Sequence, residues 1–215
     1  QAKFFDRYKM NINKIIIDNA NFKLIKNNLK LLKNFRNTDF SEKKIKIINS
    51  KIFFKNNLKE VITIITIEKG GLFFDDKKLL NLFNLKGRIF NMPYKLNFLS
   101  NNKDKGYEEM NFSSKSLKLN IFNKTFAKKN DVTTGENIIL FLNNKINTKY
   151  NIDKKLISFK SNGSRINNNQ VDYNGLLTID PFNFNMKIYI NNYKILKLLN
   201  NNSILTEFIK SELLF

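Results

Sequence analysis

The 215-residue chain contains no His, no Cys and no Trp, and it is poor in Pro (2) and Gly (7). Without His or Cys there is no zinc finger, no thiol nucleophile, no imidazole general base and no disulfide. Long hydrophobic runs are missing too. The longest uncharged apolar stretches, such as 61–67 and 138–142, fall far below the roughly 20 residues that a membrane-spanning helix needs. Residues 1–9 do not read as a secretory signal, because no apolar run follows a basic start.

What is present is equally one-sided. Asn (38), Lys (34), Ile (27) and Phe (21) dominate. The formal net charge is +20, and 42% of residues are hydrophobic. That apolar share is too large for a wholly disordered chain and enough for a core. Lys outnumbers Arg by 34 to 4. Recognition of phosphates favours the planar Arg fork, so the excess of Lys points to codon pressure in an A+T-rich genome. A mitochondrion is the expected source, with a plastid-type organelle as the alternative.

The charge is unevenly placed. Residues 1–60 carry 15 basic and 5 acidic side chains, residues 61–160 carry 18 and 9, and residues 161–215 carry 5 and 4. The basic surface therefore belongs to the first three quarters, and the tail is close to neutral.

Hydrophobic periodicity predicts a mixture of elements. Strands are expected at 10–18, 44–54, 61–67, 116–122 and 155–159, with extended chain at 88–100. The run Val61–Ile67 is the clearest strand, ended by Gly70-Gly71. Helices are expected at 21–35, at 75–85 with acidic residues in the first turn, at about 133–147 behind a Thr-Thr-x-Glu cap, and at 193–214. A hairpin is expected around Asp180-Pro181, joining 176–179 to 186–190.

Between 60 and 160 the expected order is strand, helix, strand, strand, helix, strand. That is the order of a ferredoxin-like α+β sandwich, two helices on a four-stranded antiparallel sheet. N- and C-terminal extensions would occupy 1–59 and 161–215, the latter a hairpin plus helix.

Particular residues sharpen this. Met92-Pro93-Tyr94-Lys95, the strand Phe98-Leu99-Ser100, and Asp104-Lys105 with Glu109 together resemble the ribosomal small-subunit protein S-ten family. The family's Leu-Pro-Thr-Lys stretch, Val-Leu-x-Ser strand and Asp-Lys motif are the matching parts. Tyr94 departs from its Thr, and Ser114-Lys115-Ser116 replaces its His-Lys-Arg run. The resemblance implies a structural constituent of the mitochondrial small ribosomal subunit. Ribosomal RNA would be held by Arg88, Lys95, Lys103, Lys105, Lys115 and Lys118. Neighbouring ribosomal proteins would be met through the arm 88–105 and the C-terminal segment.

Physically, each Lys at a phosphate releases counterions and adds salt-dependent affinity. Tyr94 beside Lys95 could stack on a splayed base, as could Phe53 and Phe54 between Lys51 and Lys55. The paired acids Asp75-Asp76 and Glu108-Glu109 have no third ligand type beside them in sequence, so no metal, cofactor or enzymatic activity is expected. Neither a membrane nor a small-molecule substrate is expected as a partner. The alternatives are a different organellar ribosomal protein, a matrix-exposed structural subunit of a respiratory or ATP synthase complex, and, more remotely, a Mg²⁺-dependent nuclease.

Overall fold

The computed structural model describes residues 14–25, 39–101, 106–126, 132–167, 169–179 and 181–190. The described residues form fourteen β-strands and no helix. Two short strands come first, β1 (Lys14–Asp18) and β2 (Asn21–Ile25). Two long ones follow, β3 (Lys44–Lys55) and β4 (Val61–Asp75). Then come β5 (Leu80–Ile89), β6 (Met92–Asn101), β7 (Tyr107–Ser114), β8 (Leu119–Thr125), β9 (Val132–Phe141) and β10 (Asn144–Asp153). The series ends with β11 (Leu156–Ser161), β12 (Ser164–Ile166), β13 (Asn169–Ile179) and β14 (Phe182–Ile190).

All fourteen belong to one sheet, ordered β1-β3-β4-β5-β6-β7-β8-β9-β10-β11-β13-β12, with β14 on β13 and β2 on β3. From β3 to β11 it is an antiparallel meander in which each strand pairs with the next. β1 and β2 run parallel to successive halves of β3. Where they meet, Ser50 Oγ accepts the Ala20 N–H at 3.0 Å and donates to the Ile48 carbonyl at 2.7 Å. The sheet is continuous through 59–60 and 160–161, since β3 pairs with β4 and β11 with β13.

The expected ferredoxin-like α+β sandwich is therefore corrected to an all-β sheet, and the reasons are local. In 75–85, Asp75 does not cap a helix. Its Oδ1 accepts the N–H groups of Lys77 and Lys78 at 3.1 and 3.2 Å, closing a turn. Leu79 then takes φ 53°, which no right-handed helix admits. In 133–147, Leu142 takes φ 54° and the chain doubles back as the β9–β10 hairpin. Ile138 and Ile139, expected on one helical stripe, point to opposite faces. Residues 21–25 are strand β2; residues 26–38 and 191–215, where the rest of that helix and the C-terminal helix were expected, lie outside the described residues.

The strand expectations fared differently. Those at 44–54, 61–67 and 155–159 coincide with β3, the start of β4 and β11. Gly70-Gly71 does not end β4, which runs on to Asp75. The extended region 88–100 contains the β5–β6 hairpin, whose turn residues Phe90 and Asn91 both have positive φ, 49° and 61°. In a chain with so little Gly, Asn, Lys, Leu and Phe take the left-handed turn positions.

Residues directly opposite in a ladder share a face, so register sorts the side chains. One face carries the core. Ile47, Ile67, Leu85 and Tyr94 are buried there, surrounded by Ile17, Phe22, Ile52, Ile65, Leu72, Phe83, Ile89, Leu96 and Phe112. Close backbone approaches among the described strands run between hydrogen-bonded neighbours.

Candidate functional site

The two faces of the sheet differ in kind. On the core face, one row crosses nine strands without a polar side chain. Ile17 faces Ile47, Ile47 faces Gly70, Gly70 faces Leu85, and Leu85 faces Leu96. Leu96 then faces Phe112, followed by Ile121, Ile139 and Ile146. At the usual strand spacing this stripe is about 38 Å long and perpendicular to the strands. Ile47 and Leu85 are each 8% exposed. From Leu96 to Ile146 the side chains are only partly buried.

A polar row borders the stripe in β8–β10, where Asn123 faces Asn137 and Asn137 faces Thr148. Its groups are largely satisfied within the sheet. Tyr150 Oη donates to Asn123 Oδ1 at 3.0 Å, and Thr148 Oγ1 lies 2.5 Å from Tyr173 Oη. In β4–β6 the border is a buried polar pair. Asn81 Oδ1 accepts the Phe40 N–H at 2.8 Å, and its amide reaches Ser100 Oγ at 3.5 Å.

The opposite face carries rows of lysines between apolar residues such as Phe53, Ile64, Phe122 and Ile138. Lys69, Lys86 and Lys95 stand in one row across β4, β5 and β6. Arg88 and Lys51 lie on the same face, each opposite Thr66. The carboxylate within reach is Glu68, which pairs with Lys86 at 3.3 Å and Arg88 at 3.2 Å. Lys86 and Arg88 together hold the Glu68 carboxyl below its ordinary pKa. Such exposed pairs add little stability. Nearer the β1 edge, Lys14 opposes Lys44. The charge of Lys14 lowers the pKa of Lys46 beside it.

The sequence-predicted RNA-binding residues divide between these surroundings. Arg88 and Lys95 fall on the face of Lys69, one and two strands from it. Lys115 and Lys118 occupy the turn between β7 and β8, closed by the Lys118 N–H donating to the Lys115 carbonyl at 3.1 Å. Lys103 and Lys105 lie outside the described residues. Tyr94 is on the opposite, apolar face, 5% exposed and stacked on Phe112 at 5.9 Å. Burial, with Glu68 adding, pushes its phenol up to about 12. A phenol so enclosed does not reach a base, so the stacking role expected of Tyr94 is corrected to a core role.

Phe54 also turns to the core face, opposite Thr63, whereas Phe53 is on the basic side. Of the paired acids, Glu109 is held by Lys124 Nζ at 2.5 Å, and Lys124 lies over the rings of Tyr107 and Phe126. Among the described residues no cluster of three His, Cys, Asp or Glu could hold a metal ion.

Sequence reasoning missed Lys69 and Lys86 as partners of Lys95, because their neighbourhood exists only through pairing of β4, β5 and β6. The apolar stripe was missed for the same reason. Its members are up to 129 positions apart in the chain, from Ile17 to Ile146.

The described residues define an all-β sheet with an apolar stripe on one face and rows of lysines on the other. No family model matches the chain, and no curated protein or solved structure matches it at a significant level. Among the described residues no helix is long and apolar enough to cross a membrane.

Proposed function

We propose that this chain holds elongated apolar ligands, the acyl chains of lipids, along the apolar stripe, whose side chains are only partly buried from Leu96 to Ile146. The observation that carries this reading is the nine-position row from Ile17 to Ile146. It runs across the strands, buried at Ile47 and Leu85 and only partly buried from Leu96 to Ile146. Covering apolar surface is worth roughly 25 cal/mol per Å², so a stripe of this length rewards an occupant. Its shape favours a chain over a protein layer. A packing sheet aligns its strands within about 30° of those beneath and needs a broad apolar face. Here the Asn123–Asn137–Thr148 row, satisfied by its own neighbours, leaves a slot about two residues wide in β8–β10. The reading departs from the sequence-based expectation of neither a membrane nor a small-molecule partner.

The test is uptake of a fluorescent fatty acid and of phosphatidylcholine from vesicles, with bound lipid read by native mass spectrometry. Uptake by the wild-type chain is expected, with loss in the pair Ile121→Thr and Ile139→Thr, which keeps β-branched shapes. No uptake by the wild-type chain, or undiminished uptake by the Thr pair, defeats the reading.

A second reading, ribosomal RNA contact, is supported by the Lys69–Lys86–Lys95 row with Arg88 beside it. The helices that underlay the S-ten resemblance are strands and turns here, so this support comes from surface charge and not from fold. Replacing the three lysines by Ala is expected to reduce the slope of log K against log salt for single-stranded RNA by about 2. An unchanged slope counts against it.

A further inference from the structure

The basic face has a second cationic site far from the first. Strands β10, β11, β13 and β14 outline a groove of about 700 Å³, lined by Lys149, Lys160, Lys187, Asn174, Asn185 and Ser158 among others. Register puts four of these in one line. Lys149 faces Lys160, Lys160 faces Asn174, and Asn174 faces Lys187. Strand spacing sets Lys149 about 5 Å from Lys160, and Lys160 about 10 Å from Lys187 at the backbone.

Glu136 on β9 stands directly opposite Lys149, whereas Lys160 and Lys187 have no carboxylate opposite them. No Asp or Glu lines the groove. Glu136 also accepts from Asn162 Nδ2 at 3.2 Å. Asp172 accepts from Ser161 Oγ and Gln170 Nε2 at 2.9 and 3.0 Å. None of the three lysines forms an ion pair among the described residues. Like charges directly opposed in a ladder destabilise a sheet. The Lys149–Lys160 repulsion, offset in part by Glu136 across Lys149, is one that an anion in the groove would relieve.

We propose that this groove binds a compact ligand carrying two or more phosphate groups. Three ammonium groups supply point charges for phosphate oxygens, and the Asn174 and Asn185 amides add neutral donors. The volume lies in the range of small-ligand sites, roughly 300–1,000 Å³. The same chemistry is offered by a free oligophosphate and by the headgroup of a bisphosphorylated lipid. The site lies on the face opposite the apolar stripe and does not depend on the acyl-chain reading.

The experiment titrates the full chain with inorganic tripolyphosphate, and separately with cardiolipin vesicles against phosphatidylcholine vesicles. Saturable binding is expected in at least one arm. Tripolyphosphate binding identifies a free source; binding to cardiolipin vesicles alone identifies a lipid-borne one. The triple variant Lys149→Gln, Lys160→Gln, Lys187→Gln should weaken binding at least about 30-fold. Lys69→Gln, Lys86→Gln, Lys95→Gln removes equal charge from the same face and should change it less than about threefold. Circular dichroism checks that each variant keeps its sheet, and a triple Lys→Arg variant should retain binding. Equal weakening by both Gln triples overturns the proposal, as does the absence of saturable binding in both arms. Tighter binding of a single-stranded RNA that depends on both triples also overturns it, since the groove would then be part of one extended polyanion surface.

Discussion

The Tyr150 ring lies across Gly135, its direct cross-strand partner: a Cβ on Gly135 would stand 2.3 Å from the Tyr150 Cζ. The same arrangement recurs where Phe159 crosses Gly175. A ring laid over a neighbouring glycine shields the backbone of that strand from water. It also aims the Tyr150 hydroxyl at Asn123.

Gly135→Ala is expected to push the ring aside and to destabilise the chain by about 1–3 kcal/mol. Gly71, whose added Cβ would meet nothing closer than 3.6 Å, provides the control. Gly71→Ala should be neutral or stabilising by up to about 1 kcal/mol. Urea denaturation measures both. Equal shifts in the two variants would show that the ring contact is not what requires glycine at 135.

Tyr94 sets an alkaline limit. Its phenol is raised to about 12 in the folded chain by burial and by Glu68. The unfolded chain ionises at about 10. Between these values the unfolded state has lost the proton that the folded state keeps, so stability falls as pH rises through this window. Tyr94→Phe should remove that part of the pH slope. The Tyr94 hydroxyl is buried without a hydrogen-bond partner, so below pH 10 the Phe variant should match or exceed wild type by about 1 kcal/mol. Thermal melts from pH 8 to 12 make the comparison. A variant with the wild-type slope, or one much less stable at neutral pH, contradicts this account.

Asn81 is 1% exposed and Ser100 is fully enclosed. Asn81→Ala removes the acceptor that satisfies the Phe40 N–H and should cost about 1–3 kcal/mol. Ser100→Ala gives up only a 3.5 Å contact and should cost less. Denaturant midpoints of the two variants test the order; a reversed order would move the keystone from Asn81 to Ser100.

How much of this was legible in the sequence depends on the element. Val61–Ile67 is β-branched throughout, and Lys44–Lys55 carries alternating Lys and Ile; both are strands. Leu79, Leu80, Leu82, Phe83 and Leu85 satisfy a helical stripe as readily as a strand face. Nothing local separates the two. The decision came from β4, which offers Leu72 and Gly70 as partners for Phe83 and Leu85. The candidate sites were legible only as totals. A net charge of +20 announced cationic surface, yet Lys149, Lys160 and Lys187 look unrelated until three strand pairings set them in line.

Composition alone determined that this chain works without thiol or imidazole chemistry, has apolar material for a core, and carries lysine as its cation. Only the structure shows Asn, Lys, Leu and Phe taking left-handed turn positions where Gly is scarce. The tertiary structure decided which face each side chain joins. Strand side chains alternate every second residue, so register, a relation between distant segments, assigns them. The physical reason is that β-pairing is non-local. A strand's own residues specify that it pairs, while the edge that meets it selects the partner and thereby the row of neighbours. An apolar stripe on one side and opposed lysines on the other are properties of that selection.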